Sequence, residues 1–163
     1  MIDRRNMLHV LVAMPVINFA GAETEVLTMS DDGLVTIASN HPVKETLDRL
    51  EVDLRAKNIT VFARIDHAAG AASVAMPLRP TELLIFGSPK AGTPLMQSKQ
   101  MIGIDLPLKM LGWQDAGGKT WLTYNDPHWL AARHGLDSAT DTGIEALAAA
   151  LASLAKAAAR SDR

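Results

Sequence analysis

Ile59-Thr60-Val61-Phe62-Ala63-Arg64-Ile65-Asp66 and Thr81-Glu82-Leu83-Leu84-Ile85-Phe86 decide how this chain is read. Both runs are rich in β-branched and aromatic residues, too short for helices and bounded by breakers, so each reads as a core strand. Gly87-Ser88-Pro89 stops the second. Between them His67 to Val74 is small and Ala-rich, a short helix.

Outward from this centre the elements alternate. Val26–Met29 and Leu34–Ala38 flank Asp31-Asp32-Gly33, a hairpin signal. Pro42 opens a helix whose Val43, Leu47, Leu50 and Leu54 recur at helical spacing, and Asn58 stops it. Ala91 to Met101 is a helix and Gly103 to Pro107 a turn. Leu108–Trp113 and Lys119–Tyr124 are strands joined across Gly117-Gly118. Asp126-Pro127 pairs an N-cap with Pro at the first helical position, and Gly135 ends that helix. Thr142-Gly143-Ile144-Glu145 has the form of a capping box. From there Ile144, Leu147, Leu151 and Leu154 stripe an Ala-rich C-terminal helix. The expected class is α+β: a single mixed β-sheet covered by helices, a two-layer sandwich. One domain spans residues 23–140. The helix of residues 141–163 packs on that domain or on a second copy.

Residues 1–22 carry a separate signal. Arg4 and Arg5 precede an apolar run from Met7 to Phe19 and then Ala20-Gly21-Ala22, the layout of a secretory signal peptide cut after Ala22. Asp3-Arg4-Arg5-Asn6-Met7-Leu8 resembles a twin-arginine export signal, with Asp3 and Met7 departing from the usual residues. General secretion and an uncleaved N-terminal arm are the other readings. The run is too short to cross a bilayer, so the expectation is a periplasmic protein that leaves the membrane once cut.

Removing the leader takes away two Arg and one Asp and leaves a charge near −3. So weak an acidic balance supplies no attraction to nucleic acid or to acidic membranes. With 0 cysteines, the fold relies on packing, and thiol catalysis, iron–sulfur ligation and covalent c-type haem are excluded.

Several ordered motifs carry a resemblance: Val61 to Ala69, Leu83 to Met96 with its Phe86-Gly87-Ser88-Pro89 loop, Gly103 to Lys109, and Thr123 to Pro127. Together, over roughly Ser39 to Gly135, they resemble the bacterial family called domain of unknown function 302. The resemblance implies a compact α+β domain that often dimerises and has no agreed activity. The family's loop is usually Phe-Gly-Asn-Pro. Ser88 stands in place of Asn, which keeps the turn and removes an amide.

Candidate chemistry gathers at loops. His67 after Asp66 at a strand end is a base or ligand, with Asp66 or Asp105 orienting it, unless Asp66 caps the next helix and His67 merely packs. Neighbouring strand residues point to opposite faces, which favours the structural reading. Gly87, Ser88, Lys90 and Thr93 form a Gly-containing loop before a helix, an anion site or a tight turn. It is not a P-loop. Asp105-Leu106-Pro107 is a turn in which Asp105 accepts backbone N–H bonds or faces a pocket. His128 and His134 are six residues apart, about 240° round a helix, and do not share a metal. His134 suits the negative helix end. His67 and His134 together are a metal or haem pair only if the fold converges them. Trp113, Trp121 and Trp129 form an aromatic wall or pack as ordinary core residues. No Gly-x-Ser-x-Gly elbow occurs.

The expected role is therefore an exported accessory module, a homodimer that binds a small molecule or an anion. The alternatives are a small hydrolase or lyase with a His67 base, or non-covalent metal or haem binding. No particular cofactor is named by the residues, and whether the chain is an enzyme stays open.

Overall fold

The computed structural model describes residues 27–29, 32–136 and 141–161. The leader of residues 1–22 lies outside them. One six-stranded sheet runs in the order β1-β2-β6-β5-β4-β3. The strands are β1 (Leu27–Met29), β2 (Leu34–Ser39), β3 (Thr60–Asp66), β4 (Thr81–Gly87), β5 (Leu108–Gln114) and β6 (Thr120–Asn125). The helices are α1 (Val43–Ala56), α2 (His67–Ser73), α3 (Pro89–Ser98), α4 (Pro127–His134) and α5 (Asp141–Ala159), with a 3-10 turn at Gln100–Ile104.

The two-layer α+β class stands, but the sheet is not mixed: all five pairings are antiparallel. The reason lies in the route of the chain. The crossover β2–α1–β3 does join two strands that run the same way. The meander β3–β4–β5–β6 then fills the space between them, so no co-directional strands become neighbours.

Alternation along the strands puts one face under α1 and α5. Val35, Ile37, Leu84, Phe86, Leu108, Met110, Leu122 and Tyr124 meet Leu47, Leu50 and Leu54 of α1 and Leu151, Leu154, Ala155 and Ala158 of α5. The striped helix 43–54 is thus a core helix, and it ends at Asn58 in the left-handed conformation, φ 56°. Gly112 lets α1 sit directly on β5, because a Cβ there would lie 3.2 Å from both Leu47 and Val43 side-chain carbons. Gly33 is required twice over: its φ is +79°, and an added Cβ would fall 2.2 Å from the Trp129 ring.

The C-terminal helix packs on its own domain. Asn40 N–H donates to the Ala159 carbonyl at 2.9 Å, and the His41 ring meets the Arg160 carbonyl at 2.7 Å. Its first turn begins at Asp141, one residue before the expected box; the side chains of residues 141 and 142 lie outside the described set.

A charged cluster fastens the edge strand to α1. Arg64 on β3 reaches Asp48 at 2.5 Å, Glu82 at 2.7 Å and the Lys44 carbonyl at 3.1 Å. Burial alone works against the Arg64 charge, but the bonds to Asp48 and Glu82 outweigh it and raise its pKa. Hydrogen bonds from Lys44 and Arg64 hold the Asp48 carboxyl below its usual range.

Tyr124 is the chain's single tyrosine, and burial, helped by nearby Asp126, pushes its phenol above the ordinary value of 10.0. A raised folded pKa contributes stability below the unfolded pKa and loses it as pH rises through the folded one. The phenolate absorbance of the native chain is therefore expected to rise at higher pH than that of the urea-unfolded chain. Coincident titrations would contradict the burial of this ring.

A cleft between α3 and α5 as the candidate functional site

The second strand of the opening pair ends at Gly87, and the chain turns at once into α3. Ser88 is extended (φ −126°, ψ 125°) and makes no side-chain cap. Its carbonyl instead accepts the Ala91 and Gly92 N–H groups at 3.0 and 2.9 Å. Pro89 at the first position fits, since its missing N–H would have had no helical partner. Leu95 is the one buried residue of α3. It joins Ile102 and Ile144 in a second, small cluster.

Between α3, the ends of β4 and β5, and α5 lies an open cleft of about 710 Å³. Phe86 and Leu108 come from the sheet, Leu95, Met96 and Leu106 from the α3 side, and Leu147, Leu151 and Leu154 from α5. Small Gly143, Ala146 and Ala150 on α5 leave the space open. Gly87, Ser88, Lys90 and Thr93 all line it, so the fold brings these four candidates together. Their setting is apolar, unlike the anion cradle that was one reading of the loop.

The other candidates lie elsewhere. Asp66 pairs with Glu82 and Thr60 with Gly87, so His67 stands at the opposite end of the β3–β4 ladder from the loop, roughly 20 Å away at strand rise. The Asp66 carboxylate accepts the Ala69 N–H at 2.8 Å, capping α2 as its structural reading required. His67 is exposed. Neither proposed orienting partner reaches it, because Asp105 is engaged with another histidine. His134 and Asp105 lie at the loop end of the sheet, so His67 and His134 do not converge. Among the described residues no group of three or more His, Asp or Glu could hold a metal ion.

Asp105, read as either a backbone N–H acceptor or a pocket-facing carboxylate, instead meets side chains of α4 and is not in the cleft lining. His134 Nε2 lies 2.6 Å from Asp105 Oδ2, and Arg133 is 3.4 Å from Oδ1. The two partners are 8% and 13% exposed. Lys109 Nζ donates to the Asp105 and Pro107 carbonyls at 3.0 and 3.1 Å. The turn is held from both sides, and Leu106 and Pro107 are thereby presented to the cleft. The end of α4 is closed not by His134 but by left-handed Gly135, φ 58°. Asp126 caps the start of α4 as expected, accepting the His128 and Trp129 N–H groups at 2.6 and 3.2 Å.

The tryptophans do not form one wall. Trp113 and Trp121 stack across β5 and β6 with centroids 6.2 Å apart, on the sheet face opposite α1 and α5. Trp129 sits over Gly33.

Sequence reading missed the α5 side of the cleft and Phe62. A signal existed for α5: Gly143, Ala146 and Ala150 fall at helical spacing beside the Leu stripe.

The molecule is thus an α+β sandwich, one antiparallel sheet under two helices, with a ligand-sized apolar cleft at one end. The chain belongs to the family described as domain of unknown function DUF302, whose model matches residues 35–154. That match takes in most of α5, beyond the 39–135 expected from motifs. The crystal structure of an uncharacterised conserved DUF302 protein from Bacillus stearothermophilus superimposes with a TM-score of 0.69. Identity is 19%, and the match covers 78% of this chain and 98% of that one. Two curated relatives are named fluoride-specific ion channel FluC 1. The Brucella suis biovar 1 (strain 1330) protein is 48% identical over 129 residues, 79% of this chain and 51% of its own length. The Brucella abortus biovar 1 (strain 9-941) protein is likewise 48% identical, matched over 48% of its length. The chain spans about half of each. No described helix here is long and apolar enough to cross a membrane.

Truncating one partner of a buried, hydrogen-bonded pair strands the other. Asp105→Ala and His134→Ala should each cost about 1–3 kcal/mol in urea unfolding, and the double variant less than their sum. Additive losses would show that the two groups act independently.

Proposed function

We propose that this domain is an accessory module that binds an apolar or amphipathic small molecule in the cleft between α3 and α5. The observation that carries it is the cleft itself, whose volume of about 710 Å³ falls within the roughly 300–1,000 Å³ usual for small-molecule sites. A hydrolase or lyase with a His67 base finds less support, since His67 lacks its orienting carboxylates. A bis-His metal or haem site finds less still, with the two rings at opposite ends of the sheet.

The channel relatives bear on the accessory role. Conduction requires elements that cross a membrane. The half those proteins share covers 79% of this chain, whose described residues include no helix long and apolar enough to cross a membrane. We assign conduction to their other half and an attached binding role to the shared one. The Arg-initiated apolar leader, read as an export signal, supports a periplasmic setting for that role.

The largely apolar face of the sheet, with Lys119 over the Trp121 ring and Asp115 on its N–H at one margin, supports a homodimer. Ile65, Leu83, Ile85, Leu111, Trp113 and Trp121 point away from the core, and each keeps part of its surface in solvent. The ammonium of Lys109, whose strand position is on that face, is turned onto two carbonyls. Six strands at about 4.8 Å by six residues at about 3.4 Å give roughly 600 Å² of flat area. That is the order of the roughly 800 Å² per partner in a stable interface. Two copies stacked face to face through a two-fold axis would cover it.

Two measurements test these statements. The neutral probe N-phenyl-1-naphthylamine should fluoresce strongly with the chain, and Ala150→Trp, a change at an exposed cleft position, should remove that signal without loss of fold. Equal signal in the variant, or none with the parent, overturns the cleft. The processed chain, recovered from the periplasm, should have the light-scattering mass of a dimer and become a monomer on Leu111→Lys. A monomeric parent overturns the dimer.

A further inference from the structure

The polarity of the cleft is lopsided. Lys90 is the one charged residue in its lining, which contains no carboxylate. It is exposed, and no ion pair to it occurs among the described residues. Ser88, one residue from β4, makes no cap bond, and Thr93 lies one turn further along the same helix. Every other lining side chain is apolar or glycine. One end thus offers a single positive charge and two hydroxyls; the remainder offers only surface that shuns water.

We infer that the ligand class is a single-tailed anionic amphiphile, a long-chain monocarboxylate, with its head at Ser88, Lys90 and Thr93 and its tail along Phe86, Leu147 and Leu151. This rests on the cleft reading above and deepens it. The charge complementarity is specific in sign: a cationic head would meet Lys90 without a compensating acid, and a dianion would find one lysine rather than an arginine fork. A neutral apolar molecule would fill the tail region but gain nothing from Lys90. An apolar body is required because no polar group lines the far end to pair with one, and an unpaired buried polar group is costly.

The test is competition against N-phenyl-1-naphthylamine on the full chain with dodecanoate, dodecanol and dodecylammonium, each below its micellar concentration. Dodecanoate should displace the probe at a concentration about tenfold lower than dodecylammonium, with the alcohol between them, the scale of one charge-assisted contact. Lys90→Glu should reverse the order of the two charged chains while the neutral probe still binds. Equal potency of all three ligands, or an order that survives Lys90→Glu, overturns the anionic head and leaves the apolar cleft standing. Failure of the neutral probe to bind overturns both.

Discussion

Two helices cannot cover six strands, and much of this molecule follows from that mismatch. At about 4.8 Å per strand the sheet is roughly 29 Å wide, whereas α1 and α5 packed side by side cover about 20 Å. The helices are placed where close approach is possible, with Gly112 admitting α1 and Ala155 and Ala158 admitting α5. The shortfall collects beyond them. At the end where β4 stops, α3 swings away from the sheet with a single buried residue, and the uncovered ground becomes a cleft. On the opposite side the described residues form no second layer of comparable length, and a row of large apolar residues there stays half in water.

The wall of that cleft is built from polar chemistry hidden behind apolar side chains. Asp105 and His134 are nearly buried, so each needs the other: an unmatched carboxylate or imidazole there would forfeit its hydration with nothing in return. The tie joins α4 to the turn before β5, and Lys109 secures the same turn through two carbonyls. Leu106 and Pro107 face the cleft because the residue before them is anchored. The histidine that sequence reading linked to a metal or a helix end is therefore a positioning residue for an apolar wall.

What was legible in the sequence was local. The Gly33 turn, the α1 stripe ending at Asn58, the Asp126 cap and the Gly135 stop each depend on a few neighbouring residues, and each occurs as read. The loop from Gly87 to Thr93 was legible as a turn into a helix for the same reason, and it lines the cleft. Its chemistry was not, because the apolar character comes from Ala146, Leu147 and Ala150, residues more than fifty positions away. Strand adjacency was hidden likewise: β2 pairs with β6, and nothing in β2 itself distinguishes that partner from β3. The pairing of Asp105 with His134 spans 29 residues and joins a turn to a helix end, a combination that no spacing rule ties together.

The choice of small residues on α5 argues that the cleft is kept rather than tolerated. Ala146 and Ala150 are exposed on a helix whose next stripe is leucine. Leucines in their place would bury more apolar surface, at about 25 cal/mol per Å², and would close the gap against Met96 and Leu106. Space that a conservative substitution would fill with a gain in stability is the kind of trade-off seen where function and stability conflict. The same logic applies to Lys90. A lysine at the mouth of an apolar cleft adds nothing to packing, and no carboxylate lies in the lining to hold it. Unfilled space beside a lysine-bearing mouth, contributed by two elements far apart in sequence, is what the proposed ligand would occupy.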